Sequence, residues 1–132
     1  MIGVEKRILI VDDDSDFLES LSCFLEANHF LVLKAHDGAQ ALKLAKIEHP
    51  DLILMDVMMG ERTEGLFTVQ EIRRDPELQD IPIFVLSALY SQVPEFEVSP
   101  DRGWLAHDEF LSKPVDMSLL LAKIHQRIGV AR

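Results

Sequence analysis

The sequence is short of cysteine and of positive charge, and it has no long apolar run. Its single thiol, Cys23, excludes an internal disulfide and suits a reducing compartment. Lys and Arg number 13 against 23 Asp and Glu, for a formal net charge of -10. That balance argues against nonspecific nucleic-acid binding, which needs a basic surface to displace counterions. No apolar stretch approaches the ~20 residues of a membrane span. Met1-Ile2-Gly3-Val4-Glu5 carries no signal-peptide pattern, so a cytoplasmic protein without membrane or nucleic-acid contact is expected. His29, His36, His49, His107 and His125 show no ligand spacing such as His-x-x-x-His and are expected to be solvated or locally bonded. Internal repeats, low-complexity stretches and linkers are missing too. The 132 residues are therefore read as one domain, residues 1–132, large enough to bury a core without staples.

What is there is ordinary in bulk, 48% hydrophobic and 27% charged, but ordered along the chain. Three apolar runs have strand length and no alternation: Ile8-Leu9-Ile10-Val11, Leu52-Ile53-Leu54-Met55 and Ile83-Phe84-Val85-Leu86. Strands covered on both faces read this way. Residues 30–35 and 109–112 are weaker strand candidates, as suits a sheet edge.

Helical patterns lie between the strands. Phe17, Leu18, Leu21, Phe24 and Leu25 mark one face of the first, with Asp16 and Glu19 as a start signal and Asn28 as a stop. The second runs over 38–48 with Ala41, Leu42, Leu44 and Ala45, before His49-Pro50. The third runs over 66–74 with Val69 and Ile72, and Asp75-Pro76 ends it. The last covers 117–128, with Leu120, Leu121, Ile124 and Ile128 inward and Gly129 as cap. Strands alternating with helices imply right-handed βαβ units. The fold class is therefore α/β, a doubly wound five-stranded parallel sheet with helices on both faces.

The strand ends carry the chemistry. The first strand runs into Asp12-Asp13-Asp14 and the third ends in Asp56. The fourth ends in Ser87, and Phe110-Leu111-Ser112 leads into Lys113-Pro114. Ligands of open parallel sheets bind beyond the carboxyl ends of the strands. Acid, acid, hydroxyl and amine gathered there can hold a divalent metal, offer a carboxylate nucleophile and grip a phosphoryl group.

Together with Asp37-Gly38-Ala39-Gln40-Ala41-Leu42, Asp56-Val57-Met58-Met59 and Ile81-Pro82-Ile83, these segments resemble the receiver domain of two-component response regulators, the CheY-like superfamily. The resemblance covers nearly the whole chain and implies strand order 2-1-3-4-5. It implies that Asp56 is the phosphoacceptor nucleophile. Asp12, Asp13, Asp56 and the backbone carbonyl of Met58 would hold Mg²⁺ or Mn²⁺, hard ions that favour oxygen ligands. Three such carboxylates repel one another, so metal should bind more weakly at low pH. Lys113 would join the metal in stabilising the charge of the transferring group.

Ser87 and Phe110 are the expected switch residues. The Ser87 hydroxyl could donate to the phosphoryl group or simply bond to backbone. Phe110 could swing inward or be a plain core residue. The Lys113–Pro114 peptide is expected to be cis. Met58 and Leu89 would flank the path of attacking water, and neither can orient water by hydrogen bonding, so slow autodephosphorylation and a long-lived phosphorylated state are expected. The resemblance further implies weak self-phosphorylation from a phosphodonor. A sensor histidine kinase or a histidine phosphotransfer protein would be a partner, with a protein target downstream. The readout face would comprise the 89–107 segment, the fifth strand and the last helix. A stand-alone receiver, monomer or weak dimer, is the expectation.

Two regions depart from the family. Gly60 stands where it usually has Pro, in a loop that looks one residue longer than usual, which relaxes the stretch that supplies Met58. Pro94 and Pro100 cannot both lie inside one regular helix, so the helix expected between the fourth and fifth strands should be short or displaced. Trp104 could anchor that acidic segment in the core or face a partner, and core anchoring is the simpler reading.

Two rival readings are open to test, and a third fails on its own residues. Asp12-x-Asp14-x-Asp16 opens like an EF-hand, but Phe17 stands at the required Gly and Cys23 at the bidentate Glu. The same run resembles the Asp-x-Asp of haloacid-dehalogenase-type phosphatases, which would make Asp12 the nucleophile, although Ser15-Asp16 does not supply their usual Thr or Val. A receiver that keeps its fold as a docking module without phosphorylation would explain Gly60 and the irregular 89–107 segment. Retention of Asp12, Asp13, Asp56, Ser87 and Lys113 speaks against it.

Overall fold

The computed structural model describes residues 5–56, 64–87 and 109–130. Along the chain come β1 (Arg7–Val11), α1 (Ser15–Ala27), β2 (Leu31–Ala35), α2 (Gly38–Glu48) and β3 (Leu52–Met55). They are followed by α3 (Glu64–Arg74), β4 (Ile83–Ser87), β5 (Glu109–Ser112) and α4 (Met117–Ile128). The strands make one parallel sheet in the order β2-β1-β3-β4-β5, as expected. Residues 89–107, where an irregular helix was expected, lie outside the described residues, and so do Gly60 and Trp104.

The unalternating strand runs have a simple cause: both faces of the sheet are covered. Leu9, Val11, Ile53, Met55, Ile83 and Val85 point to one face. There they meet Ala41 and Ala45 of α2 and Leu66, Val69 and Ile72 of α3. Ile8, Ile10, Leu52, Leu54, Phe84 and Leu86 point to the other. There they meet Leu18, Leu21 and Leu25 of α1 and Leu120 and Ile124 of α4. Two cores back to back bury the central strands completely, and that burial dominates the stability of the domain. The edge strand β2 is only half covered, with Leu31 exposed, which explains its weaker signal in the sequence.

Two helix starts differ from expectation. Helix α1 begins at Ser15, and its N-cap is Asp14 in extended backbone. The Asp14 carboxylate accepts the backbone N–H groups of Asp16 (3.0 Å) and Phe17 (3.2 Å). Asp16 lies inside the first turn, where its charge favours the helix dipole but caps nothing. Helix α3 starts at Glu64 rather than 66, because Glu64-Gly65 adds two residues with no apolar periodicity to mark them. The early start of α1 matters for function, since it brings the first helical turn up against the carboxyl end of β1.

Candidate functional site

Strand register assembles the site. Val11 pairs with Met55 across β1 and β3, so the next residue of each strand emerges beside the other. The backbone N–H of Asp56 donates to the Val11 carbonyl (2.9 Å), and that of Asp12 to the Ala35 carbonyl (3.1 Å). These bonds carry the ladder one residue past the strands and fix where the two carboxylates point. On the other side Ser87 pairs with Ser112, and Lys113 follows immediately. The Lys113–Pro114 peptide is cis.

Asp12 and Asp56 are buried, at 1% and 6% exposure. Buried carboxylates require compensation, and Lys113 supplies it. Its Nζ donates to Asp12 Oδ2 at 2.7 Å and to Asp56 Oδ2 at 3.4 Å. Burial pulls the Lys113 pKa down. The hydrogen bond to Asp12 and the negative charges of Asp56 and Asp12 more than offset that, and the amine ends above its ordinary value. Lys113 is therefore an ammonium throughout the neutral range.

The other Asp12 oxygen, Oδ1, accepts the backbone N–H of Asp14 at 3.0 Å. Asp12, Asp13 and Asp56 each bring a carboxylate oxygen to within 4.8 Å of the others. Asp13 is exposed while its two neighbours are buried, so the cluster opens to solvent on one side. No His or Cys joins it among the described residues. One lysine against three carboxylates leaves a local negative excess. An oxygen-only donor set of that charge fits a hard divalent cation such as Mg²⁺.

The remaining expected site residues are placed unevenly. Phe110, half-buried on β5, packs against the core on the α2–α3 side of the sheet. The backbone of Ser87 closes β4, and the role of its hydroxyl lies outside what is described. Met58 and Leu89 also lie outside the described residues. One residue at the site was overlooked as such. The helical pattern assigns Phe17 to the apolar face of α1, and it does pack against the α1–α4 core. Its ring, however, also lies under the Lys113 ammonium, with Nζ 4.3 Å from the centroid. The available signal was its position in the first turn of a helix that starts directly after the acidic run.

Comparison with known proteins agrees with this architecture. The profile described as the response regulator receiver domain matches residues 8–125. The chain belongs to that family, the receiver domains of two-component response regulators. Over 118 residues it is 40% identical to the response regulator MprA of Mycobacterium ulcerans, covering 89% of this chain and 48% of that protein. The chain thus spans about half the length of the curated relatives it matches. Among solved structures, a sensor protein from Polaromonas sp. JS666 superposes with a TM-score of 0.81 at 30% identity, covering 95% of this chain and 97% of that one. The receiver domain of the sensor histidine kinase PA1611 from Pseudomonas aeruginosa also gives 0.81, at 26% identity and with 96% and 99% coverage. That structure has a magnesium ion coordinated in its active site cleft.

Proposed function

We propose that this receiver accepts a phosphoryl group on Asp56 in a Mg²⁺-dependent reaction and thereby switches a protein-binding face. The observation that carries the reading is the Lys113 ammonium bridging Asp12 and Asp56 at the mouth of the acidic cluster. A carboxylate oxygen of Asp56 attacks phosphorus, and the bond from phosphorus to the donor oxygen or nitrogen breaks. Lys113 stays protonated and faces the charge that gathers on the equatorial oxygens. Asp12, Asp13, Asp56 and the Met58 carbonyl are the residues that would hold Mg²⁺. When bound, the ion supplies Lewis-acid neutralisation of the phosphoryl charge. The Ser87 hydroxyl would donate to a phosphoryl oxygen, and Phe110 would follow it inward, so that phosphorylation shifts a two-state population.

The phosphodonor proposed is a sensor histidine kinase or a histidine phosphotransfer protein, consistent with the receiver class, in the cytoplasm. The output is contact with a downstream protein. Met58 and Leu89 offer attacking water no hydrogen bond, which supports slow hydrolysis.

Intact-mass spectrometry after incubation with acetyl phosphate and Mg²⁺ tests the reading. One phosphoryl adduct is expected on the wild type, with none on Asp56→Asn and none in EDTA, and it should persist for many minutes after the donor is removed. Label that moves to Asp12 would instead indicate phosphatase-like chemistry. A folded wild type that never takes label would favour a docking module. Adduct lost within seconds would sink the long lifetime alone.

A further inference from the structure

The Phe17 ring closes a circuit around the site. Asp12 Oδ2 accepts from the Lys113 ammonium at 2.7 Å, and its Oδ1 accepts from the Asp14 backbone at 3.0 Å. Asp14 Oδ1 in turn accepts the Phe17 N–H at 3.2 Å. The Phe17 ring returns to Lys113, 4.3 Å below Nζ. An ammonium has three N–H donors. Here two carboxylates accept from it, and an aromatic face, negative at its centre, also meets it. The two carboxylates do not hold it equally, since Asp56 is the more distant at 3.4 Å. Without the ring, the carboxylates alone would restrain the long, flexible stem, and the closer, Asp12, would draw the ammonium away from Asp56.

We infer that Phe17 is a positioning residue for phosphoryl transfer: its ring face fixes the Lys113 ammonium beside Asp56. The inference rests on the proposed phosphoacceptor function and adds a residue to it. Phe17 touches no reacting atom and acts through Lys113. The capped start of α1 gives the ring its place, because Asp14 pins the Phe17 backbone in the first turn. A leucine at position 17 would keep apolar contact with the α1–α4 core but would have no quadrupole to offer. Tryptophan, the strongest cation–π partner, would keep the interaction.

The test compares wild type, Phe17→Leu and Phe17→Trp in three measurements: the rate of phosphorylation by acetyl phosphate at saturating Mg²⁺, the melting temperature, and the NMR shifts of the Lys113 ε-methylene protons. Cation–π interactions of this class correspond to a change of roughly 2- to 30-fold. Phe17→Leu should slow phosphorylation by that factor, and Phe17→Trp should restore it. The Lys113 ε-protons should be displaced upfield by ring current in wild type and Phe17→Trp, and should move back in Phe17→Leu. Rates that follow the melting temperature and ignore the Lys113 shifts would reduce Phe17 to a core residue. So would an unchanged rate in Phe17→Leu while wild type labels normally. A wild type that takes no phosphoryl group overturns the proposed function itself, and this consequence with it. The two failures are told apart by that control.

Discussion

Lys113 carries the charge that lets Asp12 and Asp56 remain buried, so its protonation is linked to stability in metal-free protein. Its pKa is raised by folding, against the downward pull of burial, through the hydrogen bond to Asp12 and the charges of Asp56 and Asp12. A raised native pKa means that the folded state holds the proton more tightly than the unfolded chain does. The stabilisation is then fully present below the ordinary lysine value of 10.5 and is lost as pH climbs through the higher native value. In Mg²⁺-free buffer, the stability difference between wild type and Lys113→Met should stay constant from pH 7 to 9 and shrink only above about 10.5. Urea melts across that range check this, and a difference that fades near neutrality would contradict the assignment. At this scale the strand-end residues Asp12, Asp13, Asp56 and Lys113 were legible, because each follows an apolar run whose direction is known. Phe17 was not, since an apolar side chain at helical spacing reads as core wherever its ring ends.

The elements are delimited by caps as much as by apolar periodicity. Asp14, Asp37 and Asp116 stand at the starts of α1, α2 and α4, each accepting backbone N–H groups of the first turn. Asp116 offers the cleanest test, because its contact, from the Leu119 N–H at 3.1 Å, is exposed and separate from the acidic cluster. Asp116→Ala should lower stability by about 1 kcal/mol, the usual worth of such a cap, with no change in phosphorylation rate. Chemical denaturation and the acetyl phosphate assay check the two halves of that statement. Helices α2 and α4 matched their sequence signals end to end. Helix α1 did not, since Asp16 with Glu19 reads as the start signal whereas the cap is Asp14. Only the backbone path out of β1 selects Asp14. The expected helix α3 was short by two residues, Glu64 and Gly65, for lack of any apolar marker.

At the scale of the molecule, three carboxylates are gathered in a chain whose formal charge is already -10. A cation that binds only the folded state stabilises it by mass action, by about 2.7 kcal/mol at 100 times its dissociation constant. Mg²⁺ should therefore raise the melting temperature by several degrees at constant ionic strength, and Asp13→Asn should diminish the rise. Scanning calorimetry checks both, and an equal rise in the variant would mean that the ion acts by screening alone. The sequence by itself determined the alternation of strands and helices, because local periodicity reports burial on one face or on two. It also determined which strand ends carry acids, a hydroxyl and an amine. The tertiary structure decided how those ends meet. The pairing of Val11 with Met55 and of Ser87 with Ser112 sets the carboxylates and the lysine at one edge of the sheet. Within the sequence, Lys113 lies far from both Asp12 and Phe17. The parallel sheet and its crossovers bring the ammonium between carboxylate and ring, and such a long-range meeting leaves no periodic trace in the chain.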